Sequence, residues 1–526
     1  MKKLTLILIL LSSLILTSCE DRLDTNPTDA VSGNSMMDNT ENAIISLNGI
    51  YRMMFEWGYS TSGNYGHSFG VQSYTMAANL MGEDLVIAES GDGWFWTDYV
   101  YTVKRSYTSS IARSYDIWTY FYRVIANVNY IIAAKETMQG ESTEVSYIIG
   151  QAYALRAYSY FYLAQYFSRT FKGHENEKCV PIYTEPTSSA TKGNARATVN
   201  DVYTLIRADI DTAVVRLTNV STRKRTNETH IDYRVANAFK ADICLVTNEW
   251  EEAEKAAKIA QTDFSVGEED DIIVPGGESS SFNDVGHKNV MWGNIIINDQ
   301  VRDHYRQFMA HMDTEGEYGY YGKNAHKQIN KLLYNKLGAN DIRRAWWVLD
   351  EKYPNKEGYL QVKFKYRDYQ NGITDRVYLR MEQMILVEAE ALCRQGKDSE
   401  ARAALMKLMS KRDTSYSVNK TGTALGTLTT NETGSLLEEI IIQRRIELWG
   451  EHGRIYDIKR LKQGFIRTET MGHPTEAITA LNNLKVDNPE TYDWVLTIPQ
   501  YEFDNNKILS PNEIPSGDQN PFGSGI

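Results

Sequence analysis

The chain has 526 residues, and its 56 Lys and Arg against 68 Asp and Glu give a formal net charge of −12. That balance excludes a nucleic-acid binder, which needs a basic surface against the phosphates, and the length allows one large domain or about three of average size. The four cysteines, Cys19, Cys179, Cys244 and Cys393, are too scattered for a disulfide framework or a zinc site.

Lys2 and Lys3 precede an apolar run from Leu4 to Leu16, interrupted only by Thr5, Ser12 and Ser13. This is the pattern of a secretory signal, and it falls short of the roughly 20 apolar residues of a membrane span. Leu16-Thr17-Ser18-Cys19 resembles the lipobox of bacterial lipoproteins, so residues 1–18 are expected to be removed as a lipoprotein signal peptide and Cys19 to carry the lipid. The alternative is an ordinary signal with a chance cysteine. Glu20 and Asp21 resemble the acidic signal that sends Bacteroidetes lipoproteins to the outer face of the outer membrane.

Beyond the signal, helical periodicity dominates. A first helix is predicted over Asn39–Phe55 and another over Ser114–Thr137, with irregular Gly- and aromatic-rich stretches at Gly58–Tyr74 and Glu89–Tyr107 between them. In Gln151–Phe167, Ala152, Leu155, Ser159, Tyr162 and Tyr166 are spaced as one helix face; Ala154, Tyr158 and Phe161 occupy the other side, which predicts a helix buried nearly all round. Val199–Leu217 follows, then a pair over Tyr233–Ala260 with its turn at Thr247-Asn248-Glu249. After two long irregular segments, Ser265–Asn298 and Thr314–Asp375, a third pair spans Val377–Lys411 with a break at Gly396-Lys397-Asp398, and a last helix covers Leu436–Lys462. The expected fold is mostly α with minor β: a framework of tetratricopeptide-like helix pairs, in which alanines permit close approach, carrying long irregular loops. Such loops are where function concentrates.

Read in order, these segments resemble the SusD-like (RagB/SusD) family. The resemblance rests on Leu47-Asn48-Gly49-Ile50-Tyr51; on Leu155 to Leu163 with Val180-Pro181-Ile182, similar to "RAYxYFxLxxxFGxxPL"; and on Arg196-Ala197-Thr198-Val199 with Val202-Tyr203. In the C-terminal half it rests on Tyr378-Leu379-Arg380, on Glu388-Ala389-Glu390-Ala391, on Gln443 to Leu448 with Gly450 to Arg454, and on Leu496 to Pro499 with Asn520-Pro521. Ala195, Gln443 and His452 depart from the family pattern. The resemblance implies that residues 19–526 form a single SusD-like nutrient-binding domain, an α-superhelix with a loop-rich ligand face. It also implies a cell-surface, lipid-anchored, non-enzymatic protein of the outer membrane that passes oligosaccharides to a SusC-type TonB-dependent transporter. No cofactor is expected. The alternatives are an oligopeptide binder of the same family or a surface glycosidase, which would need a carboxylate pair across a cleft.

The candidate ligand residues sit in the irregular loops. Gly91 to Tyr99 sets Trp94 and Trp96 among glycines and polar residues, with Asp92 and Asp98 alongside; Glu317 to Gly322 does the same with Tyr318, Tyr320 and Tyr321. A sugar ring offers C–H groups on one face and hydroxyls at its edge, so it calls for a flat apolar platform beside hydrogen-bonding groups. The competing reading is a half-buried strand of period two. Trp57, Tyr65 and Trp292 are further aromatics of this kind, whereas Trp346 and Trp347 are expected in the core. The cluster Arg444, Arg445, Glu447, Glu451, Arg454 and Asp457 reads as ion pairs that lock helices together. His304 and His311, seven apart on an expected helix, lack a third metal ligand, and Glu268 to Asp271 and Arg223 to Arg225 read as solvated charge runs.

Overall fold

The computed structural model describes residues 35–56, 66–101, 112–188, 191–301, 304–352, 358–482 and 484–509. The signal peptide, Cys19, Trp57 and Tyr65 lie outside them.

The long helices are α1 (Thr40–Met53), α2 (Val71–Leu80), α3 (Ala112–Ala133), α4 (Ser142–Phe167), α5 (Val199–Asn219), α6 (Tyr233–Thr247) and α7 (Trp250–Ala260), followed by α8 (Met381–Arg394), α9 (Asp398–Met409), α10 (Leu436–Glu447) and α11 (Arg454–Leu461). Successive helices pack as hairpins, α3 on α4, α4 on α5, α6 on α7 and α8 on α9, and the hairpins stack through α5 on α6 and α7 on α8. Local chemistry sets the boundaries. Asp232 caps α6 by accepting from the amides of Arg234 and Val235 at 3.0 Å each, and Asn248 ends it in the left-handed conformation with φ 63°. Thr198 and Asp201 form a capping box at the start of α5. Ala253, Ala256, Ala257 and Ala260 of α7 are all buried, and α8 packs against this helix. From Tyr147 to Phe167 every residue of α4 except Tyr162 is buried, as the two-sided apolar pattern predicts.

Three expectations need correction. Residues Val377 to Arg380, expected in a helix, belong to strand β8 (Arg376–Arg380), which pairs antiparallel with β4 (Val290–Asn294); α8 starts only at Met381. The helix expected over Leu436–Lys462 is broken between Glu447 and Arg454, where Gly450 has φ 79°. Helix α2 falls partly in a stretch expected to be irregular: Ser73 and Asn79 are as buried as its apolar residues, so no amphipathic stripe marks it.

The remaining strands are short. β1 (Leu85–Ile87), β5 (Lys327–Ile329), β7 (Tyr359–Gln361) and β6 (Trp347–Leu349) form a four-stranded antiparallel sheet in that order, and β2 (Lys178–Pro181) pairs with β3 (Arg196–Thr198). The described residues form two apolar cores. One fills the helical framework; the other, with Phe69, Phe95, Met312, Trp346, Trp347, Phe364 and Trp449, underlies the sheet and loops. Trp292 is also buried, in the helical core, and so is not a ligand platform. Cys179, Cys244 and Cys393 are buried and unpaired.

The charged cluster locks these parts together, as expected. Arg445 and Arg454 grip Glu83 and Asp84 just before β1, with contacts of 2.5–3.1 Å. Arg444 and Arg460 hold Asp457 at 2.9 and 2.7 Å, and Glu447 lies among Arg343, Arg380 and Arg412.

Candidate functional site

Strand β1 leads from the Glu83–Asp84 anchor into the tryptophan loop. The loop is not a strand. Phe95 adopts φ 62°, a left-handed conformation that costs about 1–3 kcal/mol for a non-glycine residue, and residues Trp96–Tyr99 form a single helical turn. Phe95 is fully buried against Phe69, His67 and His311, with ring centroids 5.0–6.0 Å away. This anchor separates its two neighbours. Trp94 lies edge-on to Tyr321 at 5.8 Å and is so close to Gly66 that any side chain there would strike the indole. Trp96 packs instead on Tyr99 at 5.6 Å.

The tyrosine loop is organised by Asp313, which is fully buried. Its Oδ1 accepts from the amides of Glu315 and Gly316 at 2.7 and 3.0 Å, and its Oδ2 accepts from the amide of Tyr366 at 2.8 Å. The loop packs so tightly on this residue that a Cβ at Gly322 would lie 2.1 Å from the Asp313 carbonyl oxygen. The result is a continuous series of rings: Trp94 to Tyr321 at 5.8 Å, Tyr321 to Tyr320 at 5.3 Å, Tyr320 to Tyr305 at 6.3 Å, and Tyr305 to Tyr318 at 6.0 Å. Tyr320 and Tyr305 are 50% and 41% exposed, so the series opens to solvent. Asp92 sits at its edge, exposed, and accepts from Asn324 Nδ2 at 2.8 Å, tying the two loops together.

The predicted residues therefore divide. Trp94, Tyr318, Tyr320, Tyr321 and Asp92 come together. Trp96 packs apart from them, and Asp98 turns inward: it is 1% exposed and bidentate to Arg113 at 2.8 and 3.1 Å, so its carboxylate is committed to the guanidinium. Neither Tyr305 nor Asp313 stands out in the sequence, and His311 does so only as a metal-ligand candidate beside His304. The signal for Tyr305 is an aromatic between charged neighbours in Arg302 to Arg306; Asp313 gives none, and nothing in the sequence points His311 toward the aromatic loops. His304 and His311 do not share a helix, because only residues Phe308–Met312 are helical; His304 lies against Tyr318 at 4.5 Å and His311 stacks on Tyr321 at 4.6 Å. The acidic run makes a capping box between Glu268 and Asp271 and pairs with Lys411 and His287. Among the described residues no group of three or more His, Cys, Asp or Glu side chains is placed to hold a metal.

The layer beneath the rings is basic but desolvated. Burial, with Arg113 nearby, pushes His67 down to about 3, and burial, with Lys327 nearby, holds His311 well below the usual range. Burial also pushes Lys327 down to about 7; its Nζ donates to the Ala325 carbonyl at 2.7 Å. An unfolded lysine binds its proton up to a pH of about 10.4, so Lys327 weakens the fold increasingly as pH drops from there to about 7. Lys327→Met is accordingly expected to raise the thermal midpoint most at pH 7 or below, and progressively less toward pH 10. A gain that does not depend on pH would count against this account.

Residues 74–245 match a family described as "Starch-binding associating with outer membrane", and residues 316–516 match one described as "SusD family". The chain belongs to the SusD/RagB family. It is 24% identical to SusD-like protein P38 of Formosa agariphila, over 90% of this chain and 93% of that protein. The SusD/RagB fold is shared with a SusD-like carbohydrate binding protein from Bacteroides vulgatus, at a TM-score of 0.74 and 24% identity over 90% of this chain and 97% of the other. A protein named "Laminarin binding SusD-like protein" aligns with a TM-score of 0.60 and 17% identity over 89% of this chain and 98% of that one. The SusD/RagB motifs map to the scaffold. Arg156 binds Asp209 at 2.7 and 2.8 Å to join α4 to α5, and the Arg444–Arg454 stretch supplies the ion pairs beside β1. None of the ring-series residues lies in those motifs, so family membership leaves the ligand open. Among the described residues no helix is long and apolar enough to cross a membrane.

Proposed function

We propose that this protein captures oligosaccharides at the cell surface on the Trp94–Tyr321–Tyr320–Tyr305–Tyr318 ring series and delivers them to a SusC-type TonB-dependent transporter without chemical conversion. The observation that carries the reading is the series itself: five neighbouring rings, drawn from separate loops and opening to solvent, beside the exposed carboxylate of Asp92. The laminarin-binding relative and the starch-binding family description support a glycan as ligand. Stacking and hydroxyl hydrogen bonds replace favourable water contacts, so dissociation constants of about 1 μM to 1 mM are expected, suited to onward transfer.

Calorimetric titration with laminarin and starch oligosaccharides tests this. Trp94→Ala and Tyr320→Ala are each expected to weaken binding about 10- to 100-fold, or about 1.4–2.7 kcal/mol, with circular dichroism unchanged. Unaltered affinity in both variants would place the ligand elsewhere, and shortening of the glycan on long incubation would refute a purely binding role. The same reading has residues 1–18 removed, residues 19–526 acting as one domain, and lipid on Cys19 anchoring the protein to the outer membrane. Cys19→Ala should then move it to the soluble fraction; an unmodified mature N-terminus by mass spectrometry would contradict the anchor.

A further inference from the structure

A second aromatic cleft lies away from the ring series, between α3, the loop after β2 and the short C-terminal helix Gln500–Asn505. Its volume is about 450 Å³, within the roughly 300–1,000 Å³ of small-molecule sites. By contrast, the cavity at the seam of the two cores, beside Asp242 and His452, measures only about 50 Å³.

The cleft has a built aromatic lining. Trp118 packs on Tyr122 at 4.9 Å, and Tyr122 meets Tyr183 at 5.9 Å with the rings at 81°. Their polar ends are already engaged: Trp118 Nε1 donates to Glu502 Oε2 at 3.1 Å, and the Tyr122 hydroxyl donates to the Pro181 carbonyl at 2.6 Å. The rings are thus held in place before any ligand arrives, which lowers the entropy lost on binding. Tyr501 forms the lip, edge-on to Tyr115 at 5.7 Å and 52% exposed. Thr119, Thr191, Lys192 and Asn505 add hydroxyl, ammonium and amide groups around these rings. The Glu502 carboxylate is already bonded to Trp118 and Asn506, and Arg123 adds a guanidinium to the rim. An aromatic floor with a polar rim is the arrangement that a pyranose demands, C–H face to ring and hydroxyls to edge.

We infer that this cleft is a second carbohydrate site, taking about one or two pyranose units of a glycan with Tyr183 and Tyr501 against the sugar faces. The inference rests on the glycan-binding reading above. The two sites can be read separately, because Trp118 reports on the cleft and Trp94 on the ring series. The protein labelled with 5-fluorotryptophan, with both fluorine signals assigned by single Trp→Phe substitutions, is titrated with laminarihexaose and, separately, with maltohexaose. The Trp118 signal is expected to move saturably with one of them and to go on moving in a Trp94→Ala/Tyr320→Ala chain. Tyr501→Ala, at an exposed position that does not threaten the fold, should raise the dissociation constant read at Trp118 at least about tenfold. A Trp118 signal that stays still at about 10 mM of both sugars, well above the affinity expected of a few stacking contacts, overturns the cleft. So does one that moves only while the ring series is intact. Movement at Trp94 alone refutes the cleft and spares the primary site; movement at Trp118 alone does the reverse.

Discussion

Replacing Glu447 by glutamine is expected to lower the unfolding free energy by about 3–5 kcal/mol, the range found when one partner of a buried ion pair is removed. The carboxylate is fully buried and meets three guanidinium groups: Arg343 at 3.3 Å, Arg380 at 3.2 Å and Arg412 at 3.1 Å. Burial alone would raise the Glu447 carboxyl, but Arg412, Arg380 and Arg343 outweigh it and hold the group well below the usual carboxylate range. Because the folded value is depressed, the stabilisation is present above the ordinary glutamate value of about 4.3 and disappears as pH falls below it. The glutamine variant should therefore differ most from the parent near neutral pH and least in strong acid. Urea unfolding followed by tryptophan fluorescence measures this. Glu268→Gln is the control: its side chain is 60% exposed and meets Lys411 at 2.7 Å, so it should cost under about 0.5 kcal/mol. Equal unfolding midpoints for Glu447→Gln and the parent would remove the network from the account of stability.

Asp313→Ala should abolish saturable glycan binding at the ring series while leaving the far-UV dichroism of the helical framework nearly intact. Asp313 touches no ring of the series in a way that would contact a sugar; its carboxylate instead satisfies the amides of Glu315, Gly316 and Tyr366. Each buried amide left without a partner costs about 1–3 kcal/mol, more than a short loop can absorb without refolding. The tyrosine loop would then abandon the geometry that sets Tyr321 against Trp94 and Tyr320 beside Tyr305. An affinity within about twofold of the parent, under about 0.5 kcal/mol by calorimetry, would show that the loop holds its shape without this residue.

Most of the scaffold was legible in the residues because its causes are local. The Ala253–Ala257–Ala260 stripe and the Asn248 turn each act within a helical turn or two, and the structure places α6 and α7 where they indicate. Legibility ended where burial erased the pattern, as in α2, or where pairing with a distant strand overrode helical periodicity, as in β8 against β4. The family resemblance was carried by those scaffold residues, among them Arg156 and the Arg444–Arg454 stretch.

The site is a different matter. Composition marked two loops as rich in exposed aromatics, and both contribute, but nothing local says that they meet: Asp92 and Asn324, which tie them together, are 232 residues apart in the chain. Nor could spacing separate Trp94 from Trp96 or Asp92 from Asp98. The left-handed turn at Phe95 sends one indole to Tyr321 and the other to Tyr99, and Arg113, on α3, draws Asp98 into the interior. The sequence by itself determined the helix pairs and the family, because periodicity and capping are short-range; only the tertiary structure decided which aromatics share a surface, because that depends on loop closure over hundreds of residues and on buried partners such as Asp313 and His311.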